Sequence, residues 1–166
     1  YRCLVWACPA HYYTNFTYWT QHCWGVTCVN DMEAMLSYQP ITIGDKEQAL
    51  ADLVRCYEKM MMRSHTNGGY VNLLDECWKM CEKFHTNIVI MYDHVSCKNV
   101  GGLHGLFEDQ ARERGIHLIW IPHDVMDPRT VSRREMREAF SQYMVTVLNE
   151  KPLDPTLLDY EDTLSW

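Results

Sequence analysis

The 166-residue chain lacks several features that assign function most directly. No run approaches the roughly 20 consecutive apolar residues of a membrane helix, so we expect a soluble protein. No nucleophile elbow, P-loop or Ser-His-Asp order occurs, which leaves hydrolase and kinase functions without support. There is also no C-x-x-C pair, and this argues against a four-ligand structural zinc site.

Positive charge is also scarce. The chain has 15 Lys and Arg against 22 Asp and Glu, a formal net charge of -7. Nucleic acid is not expected as the main partner, because its binding needs a sustained basic surface. One local group of arginines predicts a solvated helix face, with a phosphate or partner contact as the alternative. Its members are Arg129, Arg133, Arg134 and Arg137.

Eight cysteines and ten methionines are present. Most of the cysteines lie in apolar periodic segments, which favours reduced thiols in the cytoplasm over a disulfide scaffold and is compatible with an anaerobic setting. Cys77 and Cys81, four residues apart on one helix face, are interpreted as core thiols rather than a metal pair.

The alternation of strand and helix patterns predicts a doubly wound α/β fold, with a mainly parallel sheet and helices on both faces. Strands are expected at residues 2–7, 26–29, 88–92 and 118–121. Helices are expected at residues 15–23, from 46 to the Asn67-Gly68-Gly69 breaker, at 71–84, up to about 114, and after the Ser132-x-x-Glu135 capping box. The two consecutive helices between residues 46 and 84 are expected to cover the sheet.

The length predicts one domain, residues 1–150, followed by an acidic surface tail, residues 151–166. The chain begins with Tyr1 and its first residues already have the pattern of a buried strand, so we expect further sequence upstream.

Ligands of doubly wound sheets bind at the carboxyl ends of the strands. The loop of residues 93–102 places His94, Cys97 and Lys98 there, beside a helix N-terminus that favours an anion or a metal-bound thiolate. An unreactive buried thiol is the alternative for Cys97. A zinc site from His94, Cys97 and His104 is a weaker interpretation, since no fourth ligand is evident.

Two other predicted loops carry candidates. Cys8 is a better functional candidate than Cys3, although a core role remains open for both. Tyr12, Tyr13 and Asn15 are placed to line the same crevice. Asp124 and Asp127 form a carboxylate pair that suits acid-base work. The alternative is that Asp127-Pro128 forms a turn leading to the Ser132 cap.

An ordered set of motifs spans most of residues 2–148. It consists of Cys8-Pro9 with Asn15-Phe16, His94-x-x-Cys97-Lys98, Ile119-x-Ile-Pro-x-Asp124, Asp127-Pro-Arg129 and Arg137-Glu-Ala-Phe140. In this order the motifs resemble the benzoyl-CoA reductase and 2-hydroxyglutaryl-CoA dehydratase family. The resemblance implies the C-terminal domain of a 2-hydroxyacyl-CoA dehydratase subunit, of the kind used in amino-acid fermentation.

The resemblance also implies a cofactor. Each of two related subunits in that family binds a 4Fe-4S cluster, normally through three cysteines, two from an upstream domain and one from the C-terminal domain. Cys97 falls on the third position, and Cys8 matches no family ligand. Because the upstream pair is absent from this sequence, the isolated chain is expected to be inactive. Flavin, an occasional companion in the family, leaves no motif in this sequence.

By the same resemblance, an ATP-dependent activator iron-sulfur protein injects one low-potential electron, the thioester becomes a ketyl radical anion, and the hydroxyl is expelled. The implied partners are a sister subunit, the activator and an acyl-CoA. Our own role assignments place His94 and Lys98 as catalytic donors, Tyr12, Asn15 and Asp124 as substrate-binding residues, and Cys97 as the metal ligand. The alternatives are a benzoyl-CoA reductase-type subunit and a non-catalytic partner domain.

Overall fold

The computed structural model describes residues 1–33, 40–58 and 61–159. The elements, in chain order, are β1 (Arg2–Trp6), α1 (Phe16–Trp24), β2 (Thr27–Asp31), α2 (Lys46–Glu58), α3 (Met61–Phe84), β3 (Ile88–His94), α4 (Lys98–Gly101), α5 (His104–Arg114), β4 (His117–His123), α6 (Arg133–Thr146) and a 3-10 turn (Pro155–Leu157). Within these ranges, no helix has the length and apolar character that crossing a bilayer requires.

The four strands form one all-parallel sheet in the order β2-β1-β3-β4. Residues 88–92 of β3 are buried, as the unbroken apolar run predicts for a central strand covered on both faces. The predicted α/β fold is therefore confirmed.

Ring contacts show that helices cover both faces of the sheet. On one face, Phe16 of α1 lies edge-on to Phe140 of α6, with ring centroids 5.8 Å apart, and also contacts Tyr92 of β3. On the other face, Trp78 of α3 contacts Phe107 of α5 at 5.8 Å. Aromatic side chains thus fill the space between the sheet and each helical layer.

The two central strand ends differ from the prediction. β3 and β4 each extend two residues further, to His94 and His123, because their ladder continues through the pairs Asp93–Pro122 and His94–His123. The sequence turns polar before the backbone pairing stops. As a result, His94 belongs to a strand end and not to the loop that follows it.

The helices between residues 46 and 84 confirm one expectation and overturn another. The predicted break occurs at Gly69, whose backbone has φ +77° and ψ 174°, a conformation that favours glycine. The expectation that both helices cover the sheet is wrong for α2, since its apolar residues Leu50, Leu53, Val54 and Tyr57 are 41–59% exposed. An amphipathic pattern shows which side chains share one face of a helix, but it does not show which element packs on that face. The predicted helix also crosses residues 59–60, which lie outside the described residues.

The arginine group divides in the folded chain. Arg129 and Arg134 are exposed, whereas Arg137 is only 6% exposed, donates to the Tyr13 hydroxyl at 3.0 Å and lies over its ring. The solvated-face interpretation is therefore wrong for Arg137, which joins α6 to the loop after β1.

The capping box at the start of α6 is formed as predicted. The Glu135 backbone N–H donates to Ser132 Oγ at 3.2 Å, and the Ser132 N–H donates to the Glu135 carboxylate at 2.7 Å. These bonds satisfy two backbone donors that the first turn would otherwise leave without partners.

Replacing Ser132 with alanine should lower the free energy of unfolding by about 1 kcal/mol, because the cap is lost. Urea denaturation provides the measurement. Ser141→Ala, within the same helix, is the matched control and should have little effect. Equal stabilities of Ser132→Ala and the parent protein would contradict the capping role.

Candidate functional site

The strand order places a topological switch point between β1 and β3. After β1 the chain crosses to β2 on one side, and it returns as β3 on the other side. The chain leaves β1 towards β2 and leaves β3 towards β4, so the loops that follow β1 and β3 diverge. They leave a crevice at the carboxyl ends of the two strands, where open α/β sheets bind ligands.

A cavity of about 160 Å³ occupies this crevice. One water molecule requires only about 10–15 Å³ of such space, so the cavity is large enough for a small organic group. Its wall consists of Trp6, Ala7, Cys8, Met32, His65, Leu73, Met91, Tyr92, His94, Cys97, Asn99, Val100, Phe107 and Val125. Most of these side chains are apolar, which makes the few thiol and imidazole groups distinctive.

The end of β3 brings two predicted residues to the cavity. Cys97 is half-buried and has a free thiol, and its backbone N–H donates to the His94 carbonyl at 2.8 Å. His94 Nε2 lies 3.0 Å from Ser96 Oγ, and His94 Nδ1 lies 3.4 Å from the His123 carbonyl oxygen. The turn is thus held in place by local hydrogen bonds that set Cys97 beside His94.

The loop after β1 brings a second thiol to the cavity wall. Cys8 Sγ lies 3.7 Å from His11 Nε2, and a carboxylate oxygen of Glu33 completes a group whose donor atoms all lie within 4.8 Å of one another. Burial, followed by the nearby Glu33 carboxylate, raises the pKa of the Cys8 thiol to about 12. These residue types are able to hold a metal ion.

Sequence reasoning selected Cys8 but missed its two companions. The spacing of Cys8 and His11, three residues apart after a predicted strand, is a usable signal. Nothing in the local pattern singles out Glu33, because it reaches this group only through the parallel pairing of β2 with β1.

His123 was also missed. It is the last residue of β4 and is completely buried, with its ring 5.1 Å from that of Tyr92 and 5.5 Å from that of His94. Burial lowers the pKa of His123, and His94 lowers it further. The lowered pKa favours the neutral form of this imidazole, which lies next to His94.

The remaining predicted residues do not line the cavity. The Tyr12 hydroxyl donates to the Val131 carbonyl at 2.5 Å, and an Asp124 carboxylate oxygen accepts the backbone N–H groups of Met126 and Asp127, both at 2.9 Å. Those two N–H groups lower the pKa of Asp124. Asn15 and Lys98 are exposed. The functional roles of these four residues stay predictions.

The weaker zinc interpretation has no geometric support. Among the described residues, His94, Cys97 and His104 do not form a ligand group. Instead, His104 stacks on Trp120, with ring centroids 3.6 Å apart, and its Nε2 lies 3.3 Å from the Asp93 carboxylate.

The chain matches the family model HGD-D, described as 2-hydroxyglutaryl-CoA dehydratase, D-component, over residues 1–144. It belongs to this family. The match extends from β1 into α6 and so includes the sheet and the cavity at its carboxyl edge. No curated protein and no solved structure gives a significant match. Family membership confirms the resemblance carried by the motif order and supports a dehydratase component.

The buried His123 of this HGD-D family member predicts a loss of stability in mild acid. Its pKa is lower in the folded protein than in the unfolded chain, so the unfolded state takes up a proton first as the pH falls. The free energy of unfolding should therefore have its full value above pH about 6.5 and should decrease as the pH falls below that value. His65, whose pKa burial also lowers, should contribute in the same direction.

His123→Phe should reduce this acid sensitivity, because phenylalanine keeps an aromatic ring beside Tyr92 but does not titrate. The measurement is the free energy of unfolding by urea at pH about 7.5 and about 5.5. His22→Phe, at an exposed position, is the control and should retain the full decrease. An undiminished decrease in His123→Phe would show that His123 does not cause it.

Proposed function

We propose that this chain is part of a 2-hydroxyacyl-CoA dehydratase that eliminates water by a ketyl-radical mechanism, with Cys97 as a ligand of a 4Fe-4S cluster. The observation that carries the proposal is the position of Cys97, whose thiol lines a cavity at the switch point of a chain in the dehydratase family. Both the place in the fold and the residue type suit a cluster ligand.

The donor set agrees with a shared cluster rather than one held by these residues alone. Cys97 and Cys8 are the two cysteines of the cavity wall within the described ranges. A 4Fe-4S cluster usually takes several thiolates, and Cys8 matches no family ligand, so we infer that the other ligands come from beyond this cavity wall. When bound, the cluster would supply a low-potential electron to the thioester.

The protein's own contribution would begin with His94. His94 lines the cavity. Its Nε2 lies 3.0 Å from Ser96 Oγ, a hydroxyl whose hydrogen can rotate to suit the ring. A donor in this position would stabilise negative charge developing on the thioester oxygen. Lys98 follows Cys97 and is exposed; besides its predicted role as a donor, its ammonium group would attract the anionic acyl-CoA.

The apolar part of the wall would protect a reactive radical. Trp6, Met91 and Phe107 line the cavity and are all completely buried, and such apolar side chains would limit the access of water to a bound intermediate. His65 contacts Trp6, with ring centroids 5.5 Å apart, and burial lowers the pKa of His65, which favours its neutral form. The cavity wall therefore combines apolar side chains with a few thiol and imidazole groups.

One observation supports a protein contact, which the alternative of a non-catalytic partner domain requires. The apolar face of α2, formed by Leu50, Leu53, Val54 and Tyr57, is exposed. Contiguous exposed apolar side chains are typical of a protein-protein interface. A sister subunit on this face is compatible with both interpretations, whereas only the dehydratase interpretation requires Cys97 to bind iron.

Cys97→Ser should remove or alter the iron-sulfur cluster of the full-length protein, because serine lacks the thiolate ligand. The measurement is the iron and acid-labile sulfide content, with the visible spectrum, after purification and reconstitution without oxygen. Cys56→Ser is the matched control, since Cys56 is also half-buried but does not line the cavity. Unchanged iron and sulfide in Cys97→Ser would refute the ligand role.

Substrate assays separate the dehydratase from the aryl-CoA reductase alternative. With its sister subunit, the ATP-dependent activator and a reductant, the protein should convert a 2-hydroxyacyl-CoA to the 2-enoyl-CoA. Reduction of benzoyl-CoA, with no dehydration of any 2-hydroxyacyl-CoA tested, would favour the reductase. The product is identified by mass spectrometry.

A further inference from the structure

We propose that Cys8, His11 and Glu33 form a second metal site, which binds a single divalent ion of the zinc class. This site is separate from the cluster ligand Cys97. The three side chains supply one sulfur, one nitrogen and one oxygen donor, and these atoms all lie within 4.8 Å of one another. The site goes beyond the proposed dehydratase function and does not depend on it.

The distance between Cys8 Sγ and His11 Nε2 matches the distance between two ligand atoms of a tetrahedral metal ion. With a Zn–S bond of about 2.3 Å and a Zn–N bond of about 2.05 Å, a tetrahedral angle places sulfur and nitrogen about 3.6 Å apart. Cys8 Sγ and His11 Nε2 are 3.7 Å apart. The separation of these two atoms therefore suits their binding to one ion.

The backbone holds the donors near these positions by contacts that involve no metal. The His11 N–H donates to the Val125 carbonyl at 2.9 Å, which ties the loop after β1 to the loop after β4. Just before Glu33, the Met32 N–H donates to the Val5 carbonyl at 3.0 Å and fixes the end of β2 against β1. Such preorganisation reduces the cost of ordering the ligands around an ion.

The chemistry of the donor set selects the class of metal. Mg²⁺ and Ca²⁺ take oxygen ligands almost exclusively, whereas a thiolate, an imidazole and a carboxylate together suit Zn²⁺ and similar transition ions. As the sulfur-metal bond forms, the Cys8 thiol gives up its proton to solvent. Three protein ligands leave the fourth position to water, so the ion should be exchangeable and removable by a chelator.

The position in the fold separates this site from Cys97. Cys8 follows β1 and Glu33 follows β2, whereas Cys97 follows β3. His11 and Glu33 do not line the cavity that Cys8 shares with Cys97, and Cys97 does not belong to the ligand group. Loss of Cys97 should therefore leave the second site intact.

Cobalt titration of the tag-free full chain under anaerobic conditions tests the proposal. One equivalent of Co²⁺ should bind and give thiolate-to-cobalt charge-transfer absorption, and Zn²⁺ should abolish this absorption by displacing the cobalt. Cys8→Ser should remove the charge-transfer band. His11→Gln and Glu33→Gln should each weaken Co²⁺ binding at least about tenfold, since loss of even an outer-shell partner costs about 10–100-fold.

The controls are Cys97→Ser, which should keep the band and the affinity, and His22→Gln, which changes an exposed histidine of α1. Because His11 and Glu33 are exposed, their variants should fold normally, and circular dichroism verifies this for every variant. The proposal is overturned if stoichiometric binding is absent, if the band persists in Cys8→Ser, or if folded His11→Gln and Glu33→Gln both bind Co²⁺ as tightly as the parent.

Discussion

The structure depends on the parallel pairing of β1 with β2 on one side and with β3 on the other. Parallel strands require crossover connections, and here the connection after β1 runs towards β2 whereas the connection after β3 runs towards β4, so neither closes over the carboxyl ends of β1 and β3. This constraint creates the crevice that holds the cavity. It also brings together loops that are distant in sequence, so that Cys8 and Cys97 lie in the wall of one cavity.

Burial makes this arrangement rigid. Phe16 and Phe140 pack on one face of the sheet and Trp78 and Phe107 on the other, so the strands are held between two aromatic-rich layers. A packed interior resists small displacements. The cavity is therefore an interruption in a dense core, placed where the strands end.

Much of the fold could be predicted from the sequence because its signals are local. The apolar run of β3, the break near Gly69 and the capping box of Ser132 and Glu135 each lie within a few residues, and all three were confirmed. The placement of Cys97 at the cavity could also be predicted, since it follows a central parallel strand. Motif order then identified the family to which the chain belongs.

Other features depend on tertiary contacts that no local pattern contains. The meeting of Glu33 with Cys8 requires the register of β2 against β1. The burial of Arg137 requires the ring of Tyr13 from a loop more than 100 residues earlier, and the exposure of the apolar face of α2 depends on what the fold leaves uncovered. These are the places where the sequence-based predictions were wrong or silent.

The central claim is that the crevice between β1 and β3 holds an iron-sulfur group through Cys97. Anomalous X-ray diffraction at the iron absorption edge, from crystals of the full-length protein grown and kept without oxygen, tests it most directly. The account predicts an iron peak within bonding distance of Cys97 Sγ at the mouth of this cavity. Iron bound at other residues, with the Cys97 thiol free, would contradict it.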